Sequence, residues 1–502
     1  MTRSAWSRWA AAAVLAALAA CAPKTARPPA AAVAAALSSH EQLKRDLSAI
    51  FAESTIDHGW WSVNIQSLRH KETLYSSNSF RMLTPASNEK LLTTAVAAER
   101  LGWDFRYTTR IYSTGTLDAN GDLNGDLIVV SDGDPTINPR HPQRWAVFDE
   151  WGQQLAAKGI RQVKGYLIGD DNAFEEPGWG LGWAWDDLAF GYGAAVGALQ
   201  YNENQVELLI GPGIEAGSRA IISMSPAGSG LLIDHQVTTV AAGEPNRINL
   251  LRLPNSQLLT VSGQVAAGSS AITEHAAVDN PTHVYLNALR EALHRHKVNF
   301  DRSPLDIDDV RMRPDMSKAT LLVEDTSPPL SEVIDVALKW SRNIYAETLL
   351  LSMAPDGQPK SWSGGLGALE ETLSSWGVSR ELFLLRDGSG LSRYDYLSTD
   401  AMTSLLTHLS SDSKHAGPYR AALPVFGVSG NVANRLKDTP ASGRVWAKTG
   451  SMSQVRSLSG YLLTLEDEPL VFSFIVNGFR VPSREIDAAM DRALLRLIDF
   501  KR

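Results

Sequence analysis

Between residues 105 and 270 the chain consists of short runs in which apolar and polar residues alternate. These runs include RYTTRIYST, GDLIVVSDGD, QVELLIGPG and QLLTVSGQV, and Gly, Pro, Asn and Asp separate them. Alternation with a period of two is typical of half-buried strands, and the separating residues favour turns. Because helical patterns lie on both sides of this stretch, the sequence predicts all-β material inserted into a domain of helices and strands.

The segments that flank the insert predict helices and a sheet. Helices are expected over about residues 41–53, 84–102 and 483–500, with one more at 280–296. WWSVNIQSL and KETLYSS predict a hairpin, and RVWAKTGS, SLSGYLLTL and LVFSFIVNG predict three further strands. In the last helix the helical period places one set of apolar residues on a single face, namely Ile486, Ala489, Met490, Ala493, Leu494, Leu497 and Ile498.

The N-terminal residues predict the signal peptide of a lipoprotein. Arg3 and Arg8 precede a short apolar run that ends in LAAC, and Cys21 is the only cysteine in the chain. Such a run is typical of secretion and is too short to span a membrane. LAAC resembles the lipobox of bacterial lipoproteins, whose cysteine carries the lipid; the alternative is a plain signal peptide with a chance cysteine. We therefore expect a signal peptide over residues 1–21, a Pro/Ala-rich tether over 22–40, and a lipid anchor on the periplasmic side of the envelope. The outer membrane is favoured, because alanine rather than aspartate follows the cysteine.

Composition and motif content disfavour two classes of function. The chain has 47 Lys and Arg against 55 Asp and Glu, a net charge of −8, whereas nucleic-acid binding needs a basic face. It contains no H-E-x-x-H segment, which disfavours a zinc peptidase. The acidic segment SDGDPT lacks the spacing of an EF-hand loop. We therefore expect no nucleic-acid partner and no metal site.

Ser87 and Lys90 are three residues apart at the start of the helix predicted over 84–102, which places them on one face. A serine hydroxyl becomes a nucleophile when a base removes its proton. A lysine amine can be that base when burial or a nearby cation keeps it neutral. The alternative is an N-cap serine followed by an exposed lysine. Ser411 and Lys414 have the same spacing and are expected to form a solvated helix end.

Two further tripeptides complete an ordered set of motifs. SRN begins at Ser341 in an apolar helical region, and KTG begins at Lys448 on a predicted strand. The order S-x-x-K, S-x-N, K-T-G is the signature of serine penicillin-binding proteins and β-lactamases. Ser341 can pass a proton to a leaving amine, and Asn343 can hold a substrate carbonyl. Lys448 and Thr449 can bind a carboxylate, and Gly450 lets the substrate backbone approach the strand closely.

Five segments together resemble one family: PASNEKLLTTAVAAERLG, GDLIVVSDGDP, GYGAAVGALQYNEN, RDGSGLSR and AKTGSMSQVRSLSGY. They are similar to the class C low-molecular-mass penicillin-binding proteins, the D-alanyl-D-alanine carboxypeptidase/endopeptidases, over about residues 43–500. The resemblance implies a multidomain α/β fold with a transpeptidase-like catalytic domain, in which helices flank an antiparallel five-stranded sheet, and with two inserted β-rich domains. The expected limits are 41–104 with 320–502 for the catalytic domain, 105–197 with 269–319 for the first insert, and 198–268 for the second.

The resemblance also implies a mechanism on peptidoglycan stem peptides and crosslinks. Ser87 would attack the carbonyl between two D-alanines, or at a crosslink, while Lys90 accepts its proton. The backbone N–H groups of Ser87 and Ser451 would form the oxyanion hole. Water would then hydrolyse the acyl-enzyme, β-lactams would acylate the same serine, and no cofactor is implied. Asp171 is expected to meet the stem-peptide side chain; the alternative is a simple turn.

Some residues depart from the family pattern, and other functions stay open. Arg342 stands where the family often has Asp or Asn and is expected to point away from the site, and Tyr394 replaces a common asparagine. Trp179, Trp183 and Trp185 are expected to pack a long loop rather than to stack on glycan. The long stretch between the first two motifs argues against a serine β-lactamase, where it is much shorter. A β-lactamase or esterase, and a non-catalytic cell-wall-binding lipoprotein, are the alternative functions.

Overall fold

The computed structural model describes residues 38–53, 56, 58–355 and 359–502. The predicted signal peptide, Cys21 and most of the predicted tether lie outside the described residues. Among the helices of the described part, none is both long and apolar enough for a membrane span.

A five-stranded antiparallel sheet carries the third motif. Its strands lie in the order Glu72–Ser77, Trp60–Ser67, Pro469–Asn477, Val455–Leu463 and Val445–Met452. The predicted hairpin and the three predicted C-terminal strands are confirmed. One face packs on helices Ser39–Phe51 and Ser483–Ile498, and all seven residues predicted on the inner face of the latter helix are buried. The N-terminal and C-terminal segments of this domain thus share one hydrophobic core.

Helices cover the other face of this sheet. They are Lys90–Leu101, Leu330–Lys339, Asn343–Ser352, Trp362–Ser375, Thr399–Ser411 and Ala416–Ala422. Lys90–Leu101 lies at their centre, against Leu330–Lys339, Asn343–Ser352 and Trp362–Ser375. The helix ends at Gly102, whose φ of 88° is in the left-handed region. Every residue from Lys90 to Ala98 is buried, so the lysine lies inside the protein.

The first insert combines sheets with helices. A five-stranded sheet has the order Leu305–Asp306, Leu167–Asp170, Leu127–Ser131, Thr108–Ser113 and Thr320–Thr326, and a four-stranded sheet has the order Asn299–Phe300, Gln162–Val163, Asp122–Asn124 and Thr116–Leu117. The helices are Pro142–Trp145, Val147–Ala157 and Pro281–Arg295. The last confirms the helix predicted at 280–296.

The prediction of all-β material is wrong over residues 142–157. Helix Val147–Ala157 buries Val147, Phe148, Trp151 and Leu155, which have the helical spacing of one face. The segment is short and carries a glycine, so its period is easily overlooked among the surrounding strands. Strand Thr320–Thr326 pairs with Thr108–Ser113 and therefore extends the sheet of this insert to residue 326.

The second insert is built from two three-stranded sheets. One has the order Ile221–Ser225, Gln205–Gly211 and Ile272–Ala277, and the other has the order Leu232–Val240, Leu258–Ala266 and Arg247–Leu251. Val206, Leu208 and Ile210 of the first share a core with Val237 and Leu259 of the second. The fold class predicted from the sequence is confirmed; the domain limits stay predictions.

Candidate active site

Ser87 lies on a tight turn that precedes the central helix. Residues Ala86–Glu89 form one 3-10 turn, and the α-helix begins at Lys90. Ala86 has a φ of 47°, a conformation that side chains seldom adopt and that often marks functional sites. The helix cap is Glu89, which makes no capping hydrogen bond through its side chain. Ser87 is therefore not a capping residue, and its hydroxyl is free for another role.

The Lys90 amine lies between the serine and the second motif. Its Nζ donates to Ser87 Oγ at 2.9 Å, to Asn343 Oδ1 at 2.6 Å and to the Ser389 carbonyl at 2.8 Å. Burial lowers the pKa of Lys90 to about 8, although the nearby carboxyl groups of Glu347 and Asp387 oppose this shift. An amine of this pKa is partly neutral near pH 7, as a general base must be.

The second motif lies between two helices. Ser341 has a φ of 57°, in the left-handed region, and its Oγ accepts a hydrogen bond from Lys448 Nζ at 2.7 Å. Asn343 is the first residue of helix Asn343–Ser352, and its Nδ2 donates to the Tyr192 carbonyl at 2.8 Å. The motif thus contacts Lys90, Lys448 and a loop of the insert.

Lys448 lies on the edge strand of the sheet and is fully buried. Its Nζ also donates to the Thr449 carbonyl at 2.7 Å, and Thr449 Oγ1 accepts from Asn431 Nδ2 at 2.9 Å. Burial lowers the pKa of Lys448 well below its ordinary value, and the neighbouring Lys90 adds to the effect. A ligand carboxylate beside this amine would favour its charged form again.

Gly450 lets the edge strand touch the serine turn. A Cβ placed on it would lie 2.7 Å from the Pro85 carbonyl oxygen, 3.1 Å from the Ser87 nitrogen and 2.1 Å from Ser457 Oγ. The sequence pattern predicts that this glycine makes room for substrate. The structure places it against the turn that carries Ser87, a contact that only the tertiary fold reveals.

The segment RDGSGLSR forms a loop beneath the serine turn, between short strands Phe383–Leu384 and Tyr396–Leu397. Buried Asp387 accepts from the backbone N–H groups of Ser389, Gly390 and Ser392. Buried Glu347 accepts from the N–H groups of Gly388 and Ser389. These bonds fix the Ser389 carbonyl that accepts from Lys90. The sequence pattern assigned neither acid; an Asp followed by Gly-Ser-Gly was the available signal.

The three motifs open onto one cleft of about 510 Å³. Its walls include Ser87, Ser341, Asn343, Thr449, Ser451, Asp187, Tyr192, Arg393, Asn431 and Met452. Lys90 and Lys448 are buried and reach this cleft through their bonds to the two serines. The hydroxyls of Ser87 and Ser341, the two buried amines and Asn343 are therefore within reach of one ligand in this cleft.

Comparison with known proteins gives the family. Residues 43–497 match the D-Ala-D-Ala carboxypeptidase 3 (S13) family. The chain belongs to this family. The resemblance predicted from the motifs is confirmed, and the chain is accordingly a serine hydrolase of the D-Ala-D-Ala carboxypeptidase type.

Individual relatives agree with the family match. A D-alanyl-D-alanine carboxypeptidase of Actinomadura sp. is 31% identical over 471 residues, which cover 91% of this chain and 85% of that protein. The DacB D-alanyl-D-alanine carboxypeptidase of Haemophilus influenzae is 25% identical over 444 residues, or 87% of this chain and 88% of that protein. The crystal structure of penicillin binding protein 4 from H. influenzae has a TM-score of 0.77 and 24% identity, and covers 90% of this chain and 98% of that one.

The structure does not place Asp171 at the cleft of this carboxypeptidase-family chain. Its Oδ2 accepts from Thr282 Oγ1, and it borders a separate pocket of about 180 Å³ in the inserts. Burial raises the pKa of Asp171 to about 7. This carboxyl group is therefore only partly ionised at neutral pH and is poorly suited to bind a cationic side chain. The carboxylate at the cleft is Asp187, whose Oδ1 accepts from the Tyr192 hydroxyl at 2.8 Å. Sequence spacing could not distinguish the two, because both lie in the long, turn-rich segment that follows strand Leu167–Asp170.

Arg342 is not among the residues that line the cleft, and its side chain pairs with a buried acid of the insert. It forms an ion pair with Glu203, which is only 4% exposed and also pairs with Arg140 at 2.8 Å. Glu203 lies in a turn where Asn202, Glu203 and Asn204 all have φ values above 50°. The S-x-N motif is thereby tied to the insert. Sequence reasoning missed this partner because it lies far away in the chain.

The three tryptophans of the loop at 179–185 differ in exposure. Trp183 Nε1 donates to Asp387 Oδ2 at 2.7 Å, so this residue packs the loop, as predicted. Trp179 is half-buried, whereas Trp185 is 56% exposed and does not fit the packing prediction. Tyr394, 54% exposed, lies against Gly182 of the same loop.

Gly450→Ala is expected to lower the rate of acylation by a β-lactam about 10²-fold without unfolding the protein. The new Cβ would push the serine turn from the edge strand, and a displacement of about 1 Å in an active site can cost this factor. Gly367→Ala is the matched control, because Gly367 is an exposed helical glycine with nothing within 4 Å of its Cβ position. Stopped-flow acylation and a thermal melt would check both variants; equal acylation rates would contradict the expectation.

Proposed function

We propose that the protein hydrolyses D-alanyl peptide bonds of peptidoglycan, as a serine D-Ala-D-Ala carboxypeptidase and DD-endopeptidase. One observation carries the proposal: a buried amine of lowered pKa, Lys90 Nζ, lies 2.9 Å from the Ser87 hydroxyl. The Ser341–Lys448 pair and Asn343 complete the same site. This set fits acyl transfer to serine with lysine as general base.

Acylation begins when Lys90 accepts the Ser87 hydroxyl proton. Ser87 Oγ then bonds to the carbonyl carbon, and the oxyanion is held by the N–H groups of Ser87 and Ser451, a contribution of about 3 kcal/mol per donor. When the C–N bond breaks, Ser341 gives its hydroxyl proton to the leaving amine and takes one from the charged Lys448. Water then attacks the ester and gives a proton back to Lys448 through Ser341. Lys90 returns the first proton to Ser87 Oγ as the ester bond breaks, and the shortened peptide leaves.

Substrate selection follows from charge at the cleft. The terminal carboxylate of a D-alanyl peptide would lie at Thr449 and Lys448, where it restores the charge that burial disfavours. Asp187, which also lines the cleft, suits a stem-peptide side chain that carries an amine. The free carboxylate of a pentapeptide, or the corresponding carboxylate of a crosslink, thus decides which bond faces Ser87.

Product analysis on purified muropeptides tests the proposal. We expect free D-alanine from pentapeptides and monomers from crosslinked dimers. Release of neither product would refute the enzymatic claim. Fast turnover of a chromogenic cephalosporin without peptide cleavage would favour a β-lactamase, and absence of any covalent label would favour a cell-wall-binding protein.

Acylation should depend on pH with a midpoint near the pKa of Lys90, about 8. Below this pKa the amine is an ammonium and cannot accept the Ser87 proton, so the rate should fall about tenfold per pH unit and should level off above it. The second-order rate constant for acylation by a β-lactam between pH 5 and 9 would show this. A flat profile, or a rate that rises toward acid, would contradict the role of Lys90.

We further propose that Cys21 carries a lipid that anchors the enzyme on the periplasmic side of the envelope. Lipid attachment contributes about 0.8 kcal/mol per buried methylene. Labelling of cells with a clickable fatty acid should mark the wild type and not Cys21→Ser. Ala22→Asp should keep the label but move the protein to the inner-membrane fraction. An unlabelled wild type would refute the anchor.

A further inference from the structure

Three carboxyl groups converge directly behind the catalytic lysine. Glu89, Asp387 and Asp395 have oxygens within 4.8 Å of one another, and all three residues are completely buried. Glu89 immediately precedes Lys90, whereas the other two lie on the loop that presents the Ser389 carbonyl. The mechanism described above uses none of these acids. Three negative charges in such a place would be prohibitively costly unless something neutralised them.

The three carboxyl groups differ in how many hydrogen-bond donors they contact. Asp387 accepts three backbone N–H groups and the Trp183 indole N–H, so it has the partners of an ionised carboxylate. Asp395 accepts the Arg386 N–H through Oδ1 alone, at 2.6 Å. Both oxygens of Glu89, and Oδ2 of Asp395, have no donor among the described residues. The Glu89 and Asp395 carboxyls nevertheless lie within hydrogen-bonding reach of each other.

Either a divalent cation or a proton could neutralise the buried negative charge of these acids. Calcium and magnesium take about six or more oxygen ligands. Only three oxygens here lack hydrogen-bond partners, and the acids have no exposed surface through which water could complete a coordination shell. Two carboxyl groups in contact can instead share a proton, because one then becomes the donor that the other lacks. The arrangement therefore suits a proton and not a metal.

We propose that Glu89 is a neutral carboxylic acid that donates a hydrogen bond to Asp395, and that its neutrality lets Lys90 act as a base. Burial raises the pKa of both carboxyls well above the usual range, and Asp387 adds to this. The contact between the two acids by itself lowers the pKa of Glu89 and raises that of Asp395. The donors nevertheless favour the proton on Glu89, because Asp395 keeps the Arg386 N–H as a donor whereas neither oxygen of Glu89 has one among the described residues. An ionised Glu89 would place a negative charge beside the amine and hold it as an ammonium. The effect of Glu89 on Lys90 as a base rests on the proposed function. The charged or titratable groups that face this region are Glu89, Glu347, Asp387, Asp395, Arg342 and Lys448.

Infrared difference spectroscopy tests the protonation without any catalysis. The spectrum of the full chain at pH 7 minus that of Glu89→Gln should contain the C=O band of a protonated carboxyl. Protonated forms of other acids, such as the partly protonated Asp171, cancel in the difference. If the lost band is that of a carboxylate, the proposal is overturned. Mass spectrometric detection of a stoichiometric divalent metal that Glu89→Gln loses would overturn it in favour of a cation.

The pH dependence of acylation tests the effect on Lys90. Glutamine matches the neutral acid in shape and can donate to Asp395, so Glu89→Gln should keep the midpoint of the acidic limb. Removal of a full charge beside an amine would instead move that midpoint to lower pH by about one to two units, and such a shift would overturn the proposal. Glu89→Leu leaves Oδ2 of Asp395 without a donor and should lower the acylation rate at least about tenfold. If wild type is not acylated at all, the proposed function fails, while the infrared result still decides the protonation.

Discussion

Ser87→Ala is expected to abolish covalent labelling by fluorescent penicillin and to lower D-alanine release by a factor of about 10⁴ to 10⁶. The Oγ atom forms the bond to the acyl group, so no other group can replace it. The hydroxyl is half-buried and accepts from Lys90, so its loss should change the melting temperature little. Gel fluorescence and product analysis would measure both effects.

The chain contains its own control for this experiment. Ser411 has the same spacing to a lysine as Ser87, yet it is exposed and bonds to the helix carbonyl of His408. Lys414 pairs with Glu99. Ser411→Ala should therefore label like wild type. Labelling of Ser87→Ala, or loss of labelling in Ser411→Ala, would show that the nucleophile has been misassigned.

Lys90→Met is expected to lower the acylation rate about 10³-fold to 10⁴-fold, the usual contribution of a general base. Methionine fills a similar volume but cannot accept the Ser87 proton, and it removes the bonds to Asn343 and to the Ser389 carbonyl. Because the missing base cannot be recovered by raising the pH, the residual rate should lose the pH dependence of the wild type. Rates of β-lactam acylation from pH 6 to 9 would measure this.

Lys414→Met is the corresponding control, since Lys414 is exposed. Its acylation rate should equal that of wild type. Circular dichroism should show that Lys90→Met is folded, because the amine it removes is buried and its desolvation disfavours the charged form. A folded Lys90→Met enzyme within tenfold of the wild-type rate would exclude this residue as the base.

Much of the chemistry was accessible from the sequence. The residue types at positions 87, 90, 341, 343 and 448 indicate the family, because their order along the chain is the signature of serine penicillin-binding proteins and β-lactamases. The strands around the third motif and the final helix were also predicted, since their apolar periods are strong. The helix at 147–157 was missed because eleven residues among strands give a weak period.

Other features depended on long-range packing. Asp187 rather than Asp171 reaches the cleft because the fold, not the spacing, decides which turn faces Ser87. Gly450 contacts the serine turn, although hundreds of residues separate them in the chain. The Arg342–Glu203 pair and the acids behind Lys90 likewise join segments that no local pattern connects.

The sequence by itself determined the motifs, their order and the family, because these are properties of residue identity and short-range spacing. Only the tertiary structure decided that Lys90 is buried and that its amine lies between Ser87 and Asn343. The pKa of an amine depends on solvent and on charges within a few ångströms. Distant segments of the chain exclude the solvent and supply the charges around Lys90, so the pKa of this amine is a property of the folded chain.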